Sequence, residues 1–183
     1  MFLRTTRLLL RPGWSQDAPA LFKAIGDERI VRNLATAPWP YSLADAESFL
    51  AADRRPAEAS LLIFRFENGA PDLIGGIGFG LRRSGRTDFG YWIARPHWGR
   101  GYATEAGLAL LATARHGLRL KRLDAGHFID NPASGRVLEK LGFRPTGTIA
   151  PRYSAGRGEL APCREFSLEL GEEAQIAPAA MAA

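Results

Sequence analysis

The chain has 183 residues, of which 46% are hydrophobic and 23% charged, and its formal net charge is +5. This length and apolar content predict one globular domain, over residues 1–170, with enough apolar material for a proper core. A single cysteine, Cys163, excludes an intramolecular disulfide. Three scattered histidines without a Cys-x-x-Cys motif indicate no metal site.

The first residues, Met1-Phe2-Leu3-Arg4, contain no apolar region long enough for a signal peptide. No run approaches the roughly 20 apolar residues that a membrane-spanning helix needs. We therefore expect a soluble cytoplasmic protein without a membrane partner. The arginines are dispersed rather than clustered with aromatic residues, so nucleic-acid binding is not predicted. Most of them are expected on the solvated surface, with a few near an anionic ligand.

The first part of the chain predicts a strand, three helices and a hairpin of two strands. A short strand comes first, and Ser15 or Asp17 begins a helix. Ser42 caps the third helix, and Asn68-Gly69 is a strong hairpin signal. The strands are predicted at residues 7–11, 59–67 and 72–81, and the helices at residues 15–26, 27–34 and 43–52.

The second part predicts a turn at Ser84-Gly85-Arg86 and then alternating strands and helices. Gly142 is expected to close the last helix in a left-handed conformation. The tail, residues 171–183, is rich in Ala, Pro and Glu, which predicts disorder. The strands are predicted at residues 87–94, 122–129, 143–148 and 164–170, and the helices at residues 103–118 and 132–141.

The segment Trp98-Gly99-Arg100-Gly101-Tyr102-Ala103-Thr104-Glu105 joins an apolar strand to a helix. The first amides of a helix have no intrahelical partner, and the helix dipole favours an anion beside them. Glycine lets the backbone approach that anion closely. The segment therefore predicts a socket for the phosphate or pyrophosphate of a nucleotide-containing cofactor. The alternative is a Gly-rich connection that only turns the strand into the helix.

Two common nucleotide-binding motifs do not fit this segment. No Lys-Ser or Lys-Thr pair closes a Gly-rich loop, which argues against nucleoside triphosphate binding of the P-loop kind. The run Gly99-Arg100-Gly101-Tyr102-Ala103-Thr104 ends in Thr, where a dinucleotide fingerprint needs Gly or Ala. It also lies in the middle of the chain rather than after the first strand.

A second segment supports a cofactor socket and has the sequence N-P-A-S-G-R-V-L-E-K-L-G-F at residues 131–143. Together with W-G-R-G-Y-A-T-E-A at residues 98–106, it resembles the GNAT superfamily of CoA-dependent N-acyltransferases. The branch it resembles most contains the RimJ/RimL-type ribosomal-protein N-terminal acetyltransferases. Residues 4–12 are similar to the first strand of that branch. The resemblance covers residues 4–148 and is strongest between Gly75 and Gly147.

The resemblance implies an α/β (α+β) fold of the GNAT type. Its central sheet would be mixed and mostly antiparallel, with six to seven strands and helices on both faces. The fourth and fifth strands, residues 87–94 and 122–129, would splay apart and admit the pantetheine arm of acetyl-CoA.

Acetyl-CoA is the implied co-substrate, with no metal. In the loop, the amides of Arg100, Gly101, Ala103 and Thr104 would hold the pyrophosphate. Trp98 stands where many family members have Gln or Arg, and the RimJ/RimL branch commonly has Trp. The cofactor-binding residues implied by the resemblance are Trp92, Ile93 and Ala94 through their main chain, the loop residues Trp98, Gly99, Arg100, Gly101, Tyr102, Ala103 and Thr104, and the side chains of Asn131 and Ser134.

The resemblance also implies catalytic groups. The Ser134 hydroxyl would protonate the departing thiolate, although Asn131 and Ser134 also suit helix capping. Asp88 is the predicted general base, at a position where relatives often carry Glu. The alternative is that Asp88 is a solvated carboxylate in a turn. Tyr153 is a second candidate acid, because some relatives use a tyrosine after the sixth strand.

Three further residues are candidates for acceptor binding. Trp39 and Tyr41 lie in the segment that usually covers the acceptor, and their alternative role is packing. His127 could also serve as the base instead of Asp88, because histidine is a common proton-transfer residue, although a lone histidine near a strand end is more often structural. Glu105 favours the helix dipole but would repel phosphate, so a structural role is expected for it.

These residues predict an N-acetyltransferase in which a primary amine attacks acetyl-CoA directly in a ternary complex. The acceptor would be a protein N-terminus or a small-molecule amine. A non-catalytic CoA-binding regulatory module is one alternative, and acetylation of an antibiotic or a polyamine is another. The sequence leaves the identity of the acceptor and the oligomeric state open, a homodimer included.

Overall fold

Eight strands form one sheet, described here from a computed structural model of residues 1–53, 55, 58–67, 69–82 and 85–171. The strands are Leu3–Arg4 (β1), Leu8–Arg11 (β2), Ala59–Glu67 (β3), Ala70–Leu81 (β4), Thr87–Ile93 (β5), Arg122–Phe128 (β6), Arg144–Ser154 (β7) and Glu159–Glu169 (β8). Their order in the sheet is β1-β2-β3-β4-β5-β6-β8-β7. Only β5 and β6 pair in parallel among the described strands, so the predicted mixed, mostly antiparallel fold is confirmed.

The strand count is one correction to the prediction of six to seven. The additional strand, β1, has two residues, and Leu3 pairs with Leu10 of β2. Two residues are too few to show an alternating pattern, so the sequence carries no periodic signal for this strand.

Five helices cover the sheet within the described part of the chain. They are Ala18–Ile25 (α1), Glu28–Val31 (α2), Leu43–Ala51 (α3), Tyr102–His116 (α4) and Pro132–Lys140 (α5). The first helix starts later than residue 15 because Ser15–Asp17 forms a 3₁₀ turn. The Asp17 carboxylate stabilises that turn by accepting from the Trp14 amide at 2.7 Å and from the Arg11 guanidinium. The second helix ends at Val31 rather than at residue 34.

The last two strands are longer than predicted and form one extended hairpin. The sequence predicted strands only over residues 143–148 and 164–170 here, and β7 contains Pro145 and Pro151. However, β7 is an edge strand, where proline removes no needed hydrogen bond. Gly147, with φ +84°, lies where the register shifts between Pro145 and Ile149. The irregular residues are therefore absorbed by a bulge at the edge rather than by a loop.

Both faces of the sheet are buried. In β3, Leu61 and Ile63 belong to the cluster beneath α4 and α5, whereas Leu62 and Phe64 belong to the cluster beneath α1 and α3. Because side chains alternate along a strand, β3 reads as a continuous apolar run. None of the described helices is long and apolar enough to cross a membrane.

The predicted helix ends are confirmed at two glycine or serine positions. Ser42 caps α3, with its hydroxyl accepting from the Asp45 amide at 3.2 Å. Gly142 follows α5 with φ +90°. Gly69 has φ +81° in the hairpin between β3 and β4, but Asn68 lies outside the described residues. Ser84 and the tail at residues 172–183 also lie outside them.

The predicted splay lies between β5 and β6. These strands share one registered pair, Asp88 with Asp124, whereas β5 shares seven with β4. Beyond that pair the two strands separate. The sheet is therefore open at its centre, next to the start of α4.

Candidate active site

The opening between β5 and β6 is a cleft of about 460 Å³ that reaches both faces of the sheet. Phe89 and Tyr91 point towards α4 and α5, where they pack in the main core. Trp92 packs in the cluster beneath α1 and α3, so it lies on the opposite face. We refer to the face that carries Tyr91 as the α5 side of the cleft and to the face that carries Trp92 as the α2 side.

The predicted phosphate loop lies at the mouth of this cleft. Gly99 and Gly101 have φ of +74° and +78°, a left-handed conformation that disfavours other residues. Gly101 is the N-cap of α4 and supplies no side chain to its first amides. Ala103 and Thr104, the next residues, line the cleft. This arrangement fits a pyrophosphate, because free helix amides and the dipole of a 15-residue helix face the opening.

The loop is fixed from behind by Arg7 and Glu105. The Arg7 guanidinium donates to the Arg100 carbonyl oxygen at 3.1 Å and to the Glu105 carboxylate at 2.7 Å. Thr5 also donates to Glu105, at 2.6 Å. Burial alone would raise the pKa of Glu105, but the hydrogen bonds from Thr5 and Arg7 outweigh it and lower that pKa. Glu105 is thus an ionised anchor whose charge is balanced by Arg7.

The end of β5 presents main-chain groups to the cleft. The Ala94 amide donates to Ile74 of β4 at 2.7 Å, and the Trp98 indole donates to the Ile93 carbonyl oxygen at 2.6 Å. In an antiparallel pair the hydrogen-bonding direction alternates, so Trp92 and Ala94 face β4 while Tyr91 and Ile93 face β6. The pairing of β5 with β6 ends before these residues. The amides available to a ligand are therefore those of Tyr91 and Ile93.

Ser134 lies on the α5 side of the cleft, where α5 begins. Its Oγ is 2.9 Å from the hydroxyl of Tyr91, and Asn131 caps α5 by accepting from the Ser134 amide at 3.4 Å. Burial raises the pKa of Tyr91 to about 12, against the opposing effect of the Ser134 hydrogen bond. The phenol therefore stays protonated at neutral pH, and the two hydroxyls form a neutral proton-donating pair. While it caps α5, Asn131 also lines the wall of the cleft.

Asp88 lies at the base of the cleft, at the one point where β5 and β6 pair. One carboxylate oxygen, Oδ2, meets the guanidinium of Arg82 and lies 3.6 Å from that of Arg152. The other, Oδ1, is buried without a hydrogen-bond partner among the described residues. Burial raises the pKa of Asp88, although Arg152 and Arg82 oppose it, and the nearby Asp124 adds to it. A raised pKa and an unpaired oxygen suit a proton acceptor.

His127 lines the cleft but is tightly packed. Its Nδ1 lies 2.8 Å from the Phe128 carbonyl oxygen, and its ring centroid is 5.5 Å from that of Phe166. A Cβ added to Gly135 of α5 would lie 2.7 Å from His127 Nε2. Close packing of α5 on the ring gives His127 a clear structural role.

The remaining predicted residues are not brought to the cleft. Tyr153 is 54% exposed on β7 and pairs with Leu160. Trp39 is 42% exposed, and Tyr41 is buried in the cluster beneath α1 and α3. None of these three lines the opening between β5 and β6. Within the described part of the chain, no group of three or more His, Cys, Asp or Glu side chains could hold a metal ion.

Two cleft residues were missed by the sequence reasoning, Tyr91 and Arg152. Tyr91 lies in the run Phe89-Gly90-Tyr91-Trp92-Ile93, which was interpreted only as an apolar strand. A hydroxyl in a strand predicted to splay was the available signal. Arg152 gave no local signal, because its position depends on the length of β7.

Known proteins of similar sequence and fold agree with this geometry. A family model described as an acetyltransferase (GNAT) domain matches residues 7–144. YoaA of Bacillus subtilis, named an uncharacterized N-acetyltransferase, is 30% identical over 154 residues, which are 80% of this chain and 85% of the relative.

Solved structures share the fold at lower identity. An acetyltransferase (GNAT family) from Bacillus anthracis matches with a TM-score of 0.79 at 22% identity, covering 94% of this chain and all of the other. RimL, a ribosomal L7/L12 alpha-N-protein acetyltransferase in complex with coenzyme A, matches with a TM-score of 0.75 at 20% identity. The match covers 92% of this chain and 98% of RimL. These structures share the fold, and the family match over residues 7–144 shows that the chain belongs to the GNAT acetyltransferases and is an acyl-CoA-dependent enzyme.

Proposed function

We propose that this protein transfers the acetyl group of acetyl-CoA directly to a primary amine, with donor and acceptor bound together in the cleft. The observation that carries this proposal is the opening of the cleft on both faces of the sheet. The phosphate loop and Ser134 lie on the α5 side, and Asp88 lies on the α2 side. Donor and acceptor can thus enter from opposite sides and meet between β5 and β6, which favours reaction without a covalent enzyme intermediate.

On the α5 side, the cofactor would lie along the exposed edge of β5. The amides of Tyr91 and Ile93 are directed into the gap and suit the polar groups of an extended pantetheine chain. An amide that also donates to the thioester carbonyl would stabilise the developing oxyanion by about 3–4 kcal/mol. Asn131, at the wall of the same gap, would add a side-chain hydrogen bond.

On the α2 side, Asp88 would accept the proton of the attacking amine, directly or through a water molecule. The amine nitrogen forms a bond to the acetyl carbon while the bond from that carbon to sulfur breaks. Ser134 would donate its proton to the departing thiolate and regain one from solvent through the Tyr91 hydroxyl, 2.9 Å away, while Asp88 releases the proton of the amine to solvent. This order uses neutral donors on the side of the leaving group and a carboxylate on the side of the nucleophile.

The non-catalytic alternative fits the site less well. A binding module would need the phosphate loop but not a buried carboxylate and a hydroxyl pair on opposite sides of one gap. A protein N-terminus suits the predicted chemistry because its α-amine has a pKa of about 8, so a fair share is neutral at physiological pH. The likeness to RimL supports the fold only, and leaves the acceptor to be tested.

Two measurements test this function. Calorimetry should show saturable binding of coenzyme A. A fragment of the cofactor that contains the pyrophosphate should compete with it for the same site. Thiol release from acetyl-CoA should then rise when peptides or small amines are added, and mass spectrometry should find the product acetylated on nitrogen. Binding of coenzyme A without any acceptor-dependent thiol release would favour the regulatory module instead.

A further inference from the structure

One arginine of the cleft, Arg152, has one ion-pair partner and donates no hydrogen bond among the described residues. The Arg152 side chain is 19% exposed, and its only ion pair with another described residue is with Asp88, 3.6 Å from Nη1 to Oδ2. Its guanidinium donates no hydrogen bond within the described residues, although it carries five N–H groups. Buried guanidinium groups are usually satisfied by planar partners such as carboxylates.

The position of Arg152 on the α2 side depends on a glycine of β6. A Cβ added at Gly126 would lie 3.0 Å from Arg152 Nη2 and 2.8 Å from Cys163 Sγ. Both Gly126 and Arg152 line the cleft. The absence of a side chain at Gly126 therefore leaves room for the guanidinium beside β6, 3.6 Å from Asp88 Oδ2.

The surroundings of the α2 side carry an excess of positive charge. Each of three aspartates there meets two arginines. The pairs are Asp27 with Arg29 and Arg95, Asp88 with Arg82 and Arg152, and Asp130 with Arg32 and Arg157. Asp88 is the only acidic residue among the described residues that line the cleft. A polyamine or another polycation would find one carboxylate here, that of Asp88, which already meets two guanidinium groups, whereas an anion would find the Arg152 N–H groups that donate no hydrogen bond within the described residues.

We propose that Arg152 binds a carboxylate of the acceptor, so that the substrate is an amine with a carboxylate within a few bonds of its nitrogen. This inference rests on the proposed function and specifies its acceptor class. The unpaired Oδ1 of Asp88 would face the amine while Arg152 holds the carboxylate. Because Asp88 and Arg152 are in contact, only an acceptor whose two groups are close together can engage both. A free amino acid and the acidic N-terminus of a peptide share this chemistry.

The test uses acceptor pairs that differ only in the carboxylate. L-Serine is compared with L-serinamide, and a tripeptide amide with Asp at its second position is compared with its Asn counterpart. We expect the wild-type protein to prefer the acid in at least one pair by about tenfold or more in kcat/KM. The pair that shows the preference identifies the source of the carboxylate. Spermidine should be a poorer acceptor than either acid.

Variants of Arg152 then assign the preference. Arg152→Gln should lower kcat/KM for the preferred acid by about tenfold or more and leave its neutral counterpart within about threefold, while Arg152→Lys keeps part of the preference. Arg144→Gln removes an exposed arginine from the same strand, outside the cleft, and should change neither. Arg152 also lowers the pKa of Asp88, so all assays are run above the acid limb of each variant.

Equilibrium binding separates this inference from the proposed function. Titration of the protein–coenzyme A complex with the same acceptor pairs measures the preference without turnover. If the wild-type protein acetylates amines but shows no preference for acids, or if Arg152→Gln weakens both members of a pair equally, the carboxylate role of Arg152 is wrong. If acids bind selectively but no thiol is released, the proposed catalytic function fails and Arg152 remains a carboxylate site.

Discussion

At the scale of a single residue, removal of the Ser134 hydroxyl tests whether this group protonates the departing thiolate. Ser134→Ala should lower kcat by about 10²-fold, because the thiolate loses its proton donor, while the affinity for coenzyme A changes little. Steady-state kinetics and calorimetry measure the two effects. Tyr91→Phe is the matched variant: it keeps Ser134 and removes the hydroxyl 2.9 Å away, so its effect should be smaller. An unchanged kcat in Ser134→Ala would show that Ser134 does not protonate the departing thiolate.

As the proposed base, Asp88 would determine how the rate depends on pH. The carboxylate accepts a proton only above its pKa, which burial raises above the ordinary value of 3.8 despite Arg152 and Arg82. The rate should therefore rise with pH through this raised pKa. Arg82→Gln removes one opposing charge and should move the rise to higher pH. Asp88→Asn should abolish it and lower kcat by about 10²-fold. A pH profile shared by wild type and Asp88→Asn would contradict the role of base.

At the scale of the element, the start of α4 depends on Gly101. Its φ of +78° costs a residue with a Cβ about 1–2 kcal/mol, so Gly101→Ala should shift the loop and weaken coenzyme A binding by about tenfold. Calorimetry measures the change. Gly80→Ala is a suitable control, because a Cβ there meets Glu58 at an ordinary 3.6 Å. Equal affinity in the two variants would show that the loop conformation does not determine binding.

The same helix is held to the first hairpin by Glu105, which makes its anchoring sensitive to pH. The pKa of Glu105 lies below its ordinary value of 4.5, so its ionised form stabilises the fold above that value. This contribution is lost as the pH falls through the lowered pKa. Glu105→Gln should reduce the free energy of unfolding at pH 7 by about 1 kcal/mol, a small figure because Arg7 is half exposed.

Urea unfolding of both proteins at pH 7 and in mild acid measures this anchor. The difference between wild type and Glu105→Gln should shrink in acid, since protonation weakens the same hydrogen bonds in the wild type. A difference that grows as the pH falls would show that Glu105 is not held in its ionised form.

At the scale of the whole molecule, Ser154 joins the two ends of the fold. Its buried hydroxyl lies 3.1 Å from the Arg32 carbonyl oxygen and 2.8 Å from that of Leu34, which connects the β7–β8 hairpin to the segment after α2. Ser154→Ala should lower the free energy of unfolding by about 1–2 kcal/mol, because the Leu34 carbonyl oxygen loses the Ser154 donor, while that of Arg32 still accepts from Arg157 at 2.7 Å. It should also raise the KM for the acceptor more than that for acetyl-CoA.

Ser167 provides the control for this connection. It lies in β8 of the same hairpin, and its hydroxyl makes no hydrogen bond among the described residues. Ser167→Ala should leave both the unfolding free energy and the two KM values close to wild type. If both serine variants behave alike, the hairpin is not positioned through Ser154.

The sequence predicted the centre of this fold better than its edges. Strands β3, β5 and β6 match the predicted ranges within one residue, because they have long apolar patterns and clear turns. The edge strand β1 was not predicted, because two residues cannot show an alternating pattern. The edge strand β7 was predicted too short, because its prolines are typical of loops. The α5 side of the site followed from two local motifs. The α2 side did not, because Arg152 meets Asp88 only through the pairing of four different strands.

Strands β5 and β6 share a single registered pair. The sheet therefore consists of two halves, β1–β5 and β6–β8, that are joined by few main-chain hydrogen bonds. A ligand seated between them would act as a missing strand and complete the hydrogen-bonded network. Occupancy by coenzyme A would then stiffen the whole domain, slowing amide exchange in both halves together. Binding of coenzyme A would in this way raise the free energy of unfolding of both halves together.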